Sequence, residues 1–204
     1  MCGIVGILGQ QDVASALVDA LKRLEYRGYD SAGIATLNAG VLERRRAEGK
    51  LRNLEQKLIE KPLPGATGIG HTRWATHGGP VERNAHPHAT SKVAVVHNGI
   101  IENFRELRDA LEAKGVVFES DTDTEVVAQL LTDVMKTEQD PVKAVAAVLP
   151  KLHGAFALGI VFAGVDDLLI GARQGAPLAI GYGADEMYLG SDALALAPFT
   201  DQIT

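Results

Sequence analysis

The apolar residues of this chain change their spacing repeatedly, between the continuous runs typical of buried strands and the spacing of three and four typical of helices. Residues 3–8 form a β-branched apolar run, which predicts a buried strand. Beyond them the apolar residues recur at helical spacing, with Asp12 as a candidate cap and Gly28 as a stop. Residues 32–37 and 41–46 then predict the two strands of a hairpin.

The rest of the chain interleaves helices and strands irregularly. The same criteria predict helices at 50–60, 103–114, 123–137 and 141–151, and strands at 67–72, 93–96, 116–119 and at several places within 154–190. Residues 73–92 lack a periodic pattern, and loops of that length are usually binding loops or lids. The irregular order favours an α+β domain with antiparallel sheets over a doubly wound parallel sheet. An apolar strand would begin at 201–204, so we expect the chain to be part of a longer protein.

Composition narrows the class of protein without indicating its chemistry. The 204 residues, 46% hydrophobic and 23% charged, fit one globular domain. The net charge of −6 gives no basic footprint for nucleic acid, and we expect the basic run at 44–46 to be a solvated strand face. The sequence contains no secretory leader and no apolar stretch of membrane-spanning length. We therefore expect a soluble, cytoplasmic protein that binds neither nucleic acid nor membrane.

The single cysteine, Cys2, follows the initiator methionine directly. Removal of Met1 would leave a thiol and a free α-amine on one residue, and an α-amine has a reference pKa of about 7.7–8.0. A base of that pKa is efficient near neutral pH, so Cys2 could supply both nucleophile and base. The alternative is that Cys2 is a small buried apolar residue. A lone cysteine excludes an internal disulfide and fits a reducing compartment.

Polar residues at predicted strand ends offer the other groups that acyl transfer needs. Asn98 and Gly99 could donate a side-chain amide and a backbone N–H to one oxyanion, although Asn-Gly is also a common turn. Arg73 suits a carboxylate clamp, and Asp123 suits either an ammonium partner or the first turn of a helix. Trp74 could close over a ligand or simply anchor its loop.

Two other patterns favour neither a metal nor a cofactor. His77, His86 and His88 cluster in the sequence, but there is no second cysteine and no H-E-x-x-H helix. The glycines at 3, 6 and 9 imitate a dinucleotide fingerprint, but two residues cannot form the strand that must precede it. We therefore predict no metal and no cofactor.

Five strings carry a specific resemblance: residues 2–6, 24–33, 71–78, 96–103 and 122–125. Together they resemble the class II glutamine amidotransferases, whose glutaminase domain begins at a processed N-terminal cysteine. The similarity covers essentially all 204 residues in the right order. It is strongest to the isomerizing branch of that family, which forms amino sugars.

The resemblance implies a four-layer αββα fold, the N-terminal-nucleophile hydrolase sandwich of two antiparallel sheets between helices. It implies that Cys2 attacks the side-chain amide of L-glutamine with its own amine as base, and that Asn98 and Gly99 form the oxyanion hole. The other site residues it implies are Arg73 at the glutamine carboxylate, Asp123 at its ammonium, Trp74, Thr76 and His77 around the pocket, and Arg27 as support for the nucleophile.

The resemblance also implies partners outside this chain. In complete members, C-terminal sugar-isomerase (synthase) domains receive the ammonia and convert fructose 6-phosphate to glucosamine 6-phosphate, and the full-length enzyme is a homo-oligomer. Residues 1–204 would then be a glutaminase domain, truncated at its C-terminal edge, that releases glutamate and ammonia.

Three alternatives stay open. The chain could be the glutaminase domain of another class II member, such as amidophosphoribosyltransferase. It could be a non-catalytic amino-acid-binding module if Met1 is retained. A hydrolase acting on a different amide is the third, although Arg73 together with Asp123 fits a free α-amino acid better.

Overall fold

The computed structural model describes residues 2–27 and 30–204, apart from the side chain of Arg27. Its strands are β1 (Gly3–Leu8), β2 (Ser31–Asn38), β3 (Val41–Glu48), β4 (Thr67–Arg73), β5 (His88–Ala89), β6 (Val93–Ile101), β7 (Gly154–Phe162), β8 (Leu169–Gln174), β9 (Ala179–Tyr182) and β10 (Met187–Gly190). Its α-helices are α1 (Ala14–Lys22), α2 (Leu51–Glu60), α3 (Phe104–Glu112), α4 (Asp123–Val134), α5 (Pro141–Val148) and α6 (Ala193–Leu196). Short 3₁₀ turns occupy Glu25–Arg27, Glu82–Asn84 and Leu149–Lys151.

The strands form two antiparallel sheets. The larger has the order β3-β2-β4-β1-β10-β9 and the smaller has the order β5-β6-β7-β8. One apolar cluster lies between α1, α2 and the larger sheet, and another lies between the smaller sheet and α3 to α5. A third joins the two sheets through the following residues: Ile4, Ala35, Ile69, Ala94, Val96, Ala157 and Val161. The αββα layering expected from the resemblance is therefore confirmed.

Two local predictions about the helices and strands were wrong. Residues 116–119, all described, form an irregular segment instead of a strand. The Glu125 carboxylate holds this segment by accepting hydrogen bonds from the backbone N–H groups of Glu119 and Ser120, at 2.8 and 2.6 Å. Asp12 does not cap α1, because its carboxylate accepts a hydrogen bond from the N–H of Gly65 at 2.7 Å.

The basic run at 44–46 is also not a solvated face. Arg46 is half-buried and donates to the carbonyls of Arg83 and Ala85, at 3.0 and 2.9 Å. Arg44 donates to the carbonyl of Pro87 at 3.3 Å. Burial lowers the pKa of Arg46 to about 10. These guanidinium groups fasten the long loop after β4 to the larger sheet, because unpaired carbonyls of an irregular segment need donors.

The helices of the described ranges, 2–27 and 30–204, include none with the length and apolar character needed to span a membrane.

Candidate active site

Cys2 lies immediately before β1, the strand that pairs with both β4 and β10 in the larger sheet. Its Sγ accepts a hydrogen bond from the Trp74 N–H at 3.1 Å and lies 3.4 Å from the Trp74 carbonyl oxygen, to which the thiol donates. Trp74 is the first residue after β4, so pairing of β1 with β4 fixes the position of the sulfur.

The environment of Cys2 disfavours the thiolate form of its side chain. Burial raises the pKa of the Cys2 thiol, and this effect exceeds the opposite effects of the Trp74 backbone hydrogen bond and the Arg73 charge. A thiol of raised pKa is a poor nucleophile near neutral pH unless a neighbouring base accepts its proton. A nucleophilic role for Cys2 would therefore require a base close to the sulfur.

Asn98 faces Cys2 from the smaller sheet. The Asn98 side-chain amide donates from Nδ2 to the Cys2 carbonyl oxygen at 3.0 Å. Strand β6 extends to Ile101, and Asn98 and Gly99 pair with Ala157 and Phe156 of β7. The turn interpretation of Asn-Gly is therefore wrong, because both residues lie within a paired strand. The strand presents the amide across the gap between the sheets to the residue that carries the thiol.

Gly99 cannot be replaced by a larger residue without moving the strands. Its φ is +119°, and a Cβ at this position would lie 2.1 Å from the carbonyl oxygen of Ala155. Only glycine adopts this conformation without strain.

The predicted site residues converge on two adjoining pockets that share Cys2, Trp74, Thr76 and Gly99. The outer cavity, about 490 Å³, has further walls made by Asn98, Ile100 and residues 175–177. The inner pocket, about 10 Å³, extends from Cys2 towards the other side chains, which are Arg73, His77, His86, His97, Thr122, Asp123 and Thr124. The outer cavity has room for a small ligand beside Cys2, whereas the inner pocket as it stands holds about one water molecule.

Arg73 is buried and already has protein partners. Its guanidinium donates to the carbonyl oxygens of His77, Gly78 and Gly79, and it lies 3.6 Å from the Asp30 carboxylate. It therefore shapes the loop that forms the wall of the inner pocket. A carboxylate bound there would meet a positive charge that the loop carbonyls hold in place.

Asp123 occupies the first turn of α4, as predicted, but it is not the cap. Thr122 is the N-cap, and its hydroxyl accepts from the Glu125 N–H at 3.4 Å. The Asp123 carboxylate is buried and accepts from the Ile101 N–H at 2.9 Å. A buried carboxylate in a pocket wall is a strong partner for a cation, because little water screens it.

Trp74 and Thr76 line both pockets, and His77 lines the inner one. Trp74 is 56% exposed, so its indole does not anchor the loop from inside. His77 packs edge-on against Phe104, with ring centroids 5.0 Å apart. The Arg27 side chain lies outside the described part of the structure. The role of Arg27 in supporting the nucleophile therefore stays a prediction.

Sequence reasoning missed several residues of the site, among them His71, His86, His97 and Thr124. His71, His97 and Thr124 lie within the strings that carry the resemblance, and His86 lies in the histidine cluster, but no sequence motif separates a buried structural histidine from one beside the site. In the described part of the chain, no group of three or more His, Cys, Asp or Glu side chains is arranged to hold a metal ion.

Comparison with known proteins gives consistent results. A family model for the glutamine amidotransferase domain matches residues 71–198. The chain is 68% identical over all 204 residues to the glutamine–fructose-6-phosphate aminotransferase [isomerizing] of Bradyrhizobium diazoefficiens, and 69% identical to that of Brucella suis. It spans 34% of each relative, about a third of their length.

Among solved structures, the glutamine phosphoribosylpyrophosphate amidotransferase from B. subtilis aligns with a TM-score of 0.83 at 28% identity. The alignment covers 96% of this chain and 43% of that one. A glutamine aminotransferase class-II domain protein from Silicibacter pomeroyi aligns with a TM-score of 0.63 at 16% identity, over 93% of this chain and 88% of that one. These alignments confirm the predicted N-terminal-nucleophile fold.

Proposed function

Because the chain belongs to the glutamine amidotransferase domain family, we propose that it hydrolyses the side-chain amide of L-glutamine through Cys2. The observation that carries this proposal is the single cavity into which Cys2, Asn98 and Gly99 converge from different sheets. The resemblance of the N-terminal strings, now supported by 68% identity over the whole chain to named aminotransferases, favours glutamine over other amides.

The geometry suits the chemistry of an N-terminal cysteine. The Cys2 amine accepts the thiol proton while sulfur attacks the amide carbon, and the C=O electron pair moves to oxygen. The Asn98 Nδ2 group has two N–H bonds, of which one is used by the Cys2 carbonyl, so the second is free to stabilise the oxyanion with the Gly99 N–H. Collapse expels ammonia with the transferred proton and leaves a γ-glutamyl thioester. Water then releases glutamate and restores the thiol.

The walls of the inner pocket carry the two charges that the α-amino acid end of glutamine needs, and they must move apart to admit it, because a volume of about 10 Å³ holds about one water molecule. Asp123 offers a buried negative charge for the ammonium, and Arg73 offers a positive charge for the carboxylate. Thr76 and His77 also line this pocket and add polar surface. Two opposite charges in one wall fix both ends of a free amino acid, whereas a peptide lacks one or both of them.

We infer that the ammonia is used to make glucosamine 6-phosphate from fructose 6-phosphate in a longer protein. The relatives at 68–69% identity are isomerizing aminotransferases, whereas the phosphoribosylpyrophosphate amidotransferase is 28% identical. This difference favours the amino-sugar branch over the sister enzyme. Sugar-isomerase domains beyond residue 204, a homo-oligomeric full-length enzyme, a glutaminase domain truncated at its C-terminal edge and a cytoplasmic location stay predictions.

A glutaminase assay tests the proposal on chain whose loss of Met1 has been verified by intact mass. We expect glutamate and ammonia in equal amounts, and no turnover by Cys2→Ala. A matched sample in which Met1 is retained should be inactive, because its nitrogen is then part of a peptide bond and cannot act as a base. Turnover by Cys2→Ala, or equal turnover with the amine blocked, would overturn the proposal.

A substrate panel separates the alternatives. Glutamine should be hydrolysed, while amides without a free α-amino acid end should not be. Binding of glutamine without any turnover by the trimmed chain would favour the amino-acid-binding module. Equal turnover of a peptide amide would favour a different N-terminal-nucleophile hydrolase.

A further inference from the structure

We propose that His71 is a positioning residue that fixes the Asn98 amide so that its N–H groups face Cys2. The inference deepens the proposed function, on which it rests, because it concerns the donor of the oxyanion hole. His71 lies on β4 of the larger sheet and Asn98 on β6 of the smaller sheet. The contact therefore joins the two sheets beside the thiol.

The hydrogen bonds of His71 determine which ring nitrogen carries the proton. The Nε2 atom lies 2.9 Å from the carbonyl oxygen of His97 and 3.0 Å from Oδ1 of Asn98. A backbone carbonyl can only accept a hydrogen bond, so Nε2 must be an N–H donor. The Nδ1–H tautomer would instead turn a nitrogen lone pair towards two oxygens.

The same contacts determine the orientation of the Asn98 amide. Its Nδ2 lies 3.0 Å from the Cys2 carbonyl oxygen, which accepts only, and its Oδ1 faces the His71 donor. A flipped amide would place two oxygens together at Cys2 and two N–H groups together at His71. Donation into Oδ1 also polarises the amide and makes its N–H groups stronger donors. His71 therefore both orients the oxyanion donor and strengthens it.

The surroundings of His71 keep its ring neutral and restrict its one N–H to the two acceptors already named, the His97 carbonyl oxygen and the Asn98 Oδ1. The side chain is fully buried and stacks on the His86 ring, with centroids 4.2 Å apart and an interplanar angle of 21°. Among the described residues, no hydrogen-bond partner is within reach of Nδ1. Burial lowers the pKa of His71 to about 3, so the ring is neutral at any working pH. A neutral ring has one N–H, and here the His97 carbonyl oxygen and the Asn98 Oδ1 share it.

The His86 ring is itself held by a hydrogen bond at its Nε2. Its Nε2 lies 2.7 Å from the Thr124 hydroxyl, and the same hydroxyl lies 2.9 Å from Nδ1 of His97. The stack thus rests on α4 and β6, which prevents the His71 ring from tilting away from Asn98. Replacement of His71 should affect the amide without altering the charges that bind glutamine.

Kinetics of paired variants tests the inference. His71→Phe removes the donor at similar volume, whereas His71→Gln keeps an N–H at a similar reach. We expect His71→Phe to lower kcat for glutamine by about 10²-fold with KM changed less than about threefold, because it weakens one oxyanion donor. His71→Gln should recover at least about tenfold of the loss. Added to Asn98→Ala, His71→Phe should lower kcat by less than about threefold, because its effect acts through the missing amide.

His88→Phe is the matched control for general damage to the core. His88 is buried in the same group of histidines, but its Nε2 lies 3.0 Å from the Thr122 hydroxyl and not at Asn98. In the double variant with Asn98→Ala, the fold loss of kcat caused by His88→Phe should multiply the fold loss caused by Asn98→Ala. If His71→Phe also multiplies with Asn98→Ala, its role is only structural and the inference is wrong.

Nitrogen NMR gives a readout that does not depend on turnover. In the wild-type chain the His71 ring should show the neutral Nε2–H tautomer from pH 5 to pH 9, and the Asn98 side-chain amide signals should move in His71→Phe and return in His71→Gln. An Nδ1–H tautomer overturns the inference whether or not the enzyme is active. A wild-type chain with the expected tautomer and no glutaminase activity contradicts the proposed function instead.

Discussion

Replacement of Gly99 by alanine tests whether the position of β6 sets both the stability of the fold and the geometry of the site. The new Cβ would lie 2.1 Å from the Ala155 carbonyl oxygen, a separation that real Cβ atoms essentially never show. The contact must lengthen by about 1 Å, and the obstacle is the backbone of β7, which a rotamer change cannot move. The φ of +119° is also unfavourable for alanine.

These two effects give an expected magnitude. A non-glycine residue at such a φ costs about 1–3 kcal/mol. Displacement of β6 from β7 weakens about two ladder hydrogen bonds, at about 1 kcal/mol each. The free energy of unfolding should therefore fall by about 3–5 kcal/mol, a large part of the stability of a typical domain. A shift of about 1 Å at Asn98 should also lower kcat by about 10²-fold.

Two other glycines separate the effects. Gly115 has a φ of +86°, and within the described ranges no heavy atom is close enough to meet its Cβ, so Gly115→Ala reports backbone strain alone, about 1 kcal/mol. Gly79 has neither a positive φ nor a close neighbour among described atoms, so Gly79→Ala should change stability by less than about 0.5 kcal/mol. Urea unfolding followed by circular dichroism measures all three. If Gly99→Ala is no less stable than Gly115→Ala, the argument from the close contact fails.

Three further predictions concern the site and its pH dependence. In a steady-state glutaminase assay, Asn98→Ala should lower kcat by about 10²–10³-fold with little change in KM, as expected for the loss of an oxyanion donor. A change confined to KM would contradict that role. Asp123→Asn should raise KM for glutamine at least about tenfold, because a hydrogen bond to a buried charged group contributes about 1.5–3 kcal/mol. With a glutamine analogue that lacks the α-amine, the variant and the wild type should have the same KM. A difference in KM for that analogue would exclude a contact between Asp123 and the ammonium group. The folded-state pKa of His71, about 3, lies below its ordinary value of 6.5, so its contribution to stability is present above pH 6.5 and is lost as the pH falls towards 3. That loss should be about 2 kcal/mol at pH 5, and urea unfolding at pH 5 and pH 7 should show a smaller difference for His71→Gln than for wild type; equal differences would refute the assignment.

Local sequence patterns were sufficient for most of the fold. The hairpin of β2 and β3, strand β1 and helix α4 each contain their own periodicity and turn residues, so they could be read from short windows. The strand expected at 116–119 failed because a side chain on α4, six residues away in sequence, satisfies its backbone instead. The prediction of a solvated face at 44–46 was wrong because these guanidinium groups donate to carbonyl oxygens of a loop about forty residues later in the sequence.

The site was predictable as a set of residues but not as an arrangement. The resemblance gave Cys2, Arg73, Asn98 and Asp123, which the pockets bring together, yet none of their mutual contacts follows from local pattern. His71 illustrates the gap, since an alternating strand position next to Thr72 and Arg73 does not reveal that the ring reaches the opposite sheet. That information lies in how the two sheets are packed.

The packing between the sheets therefore governs the chemistry. Cys2 and Trp74 adjoin strands of the larger sheet, and Asn98 and Gly99 lie on the smaller one, so the distance from the proposed nucleophile to the proposed oxyanion donor is an inter-sheet distance. The core that sets this distance contains several small residues, including Ala35, Ala94 and Ala157. Small residues let the sheets approach closely, and a larger side chain there would separate them. A bulkier residue in this core, far from any substrate, would consequently lengthen the contact between Asn98 and Cys2 and reduce kcat before it unfolded the chain.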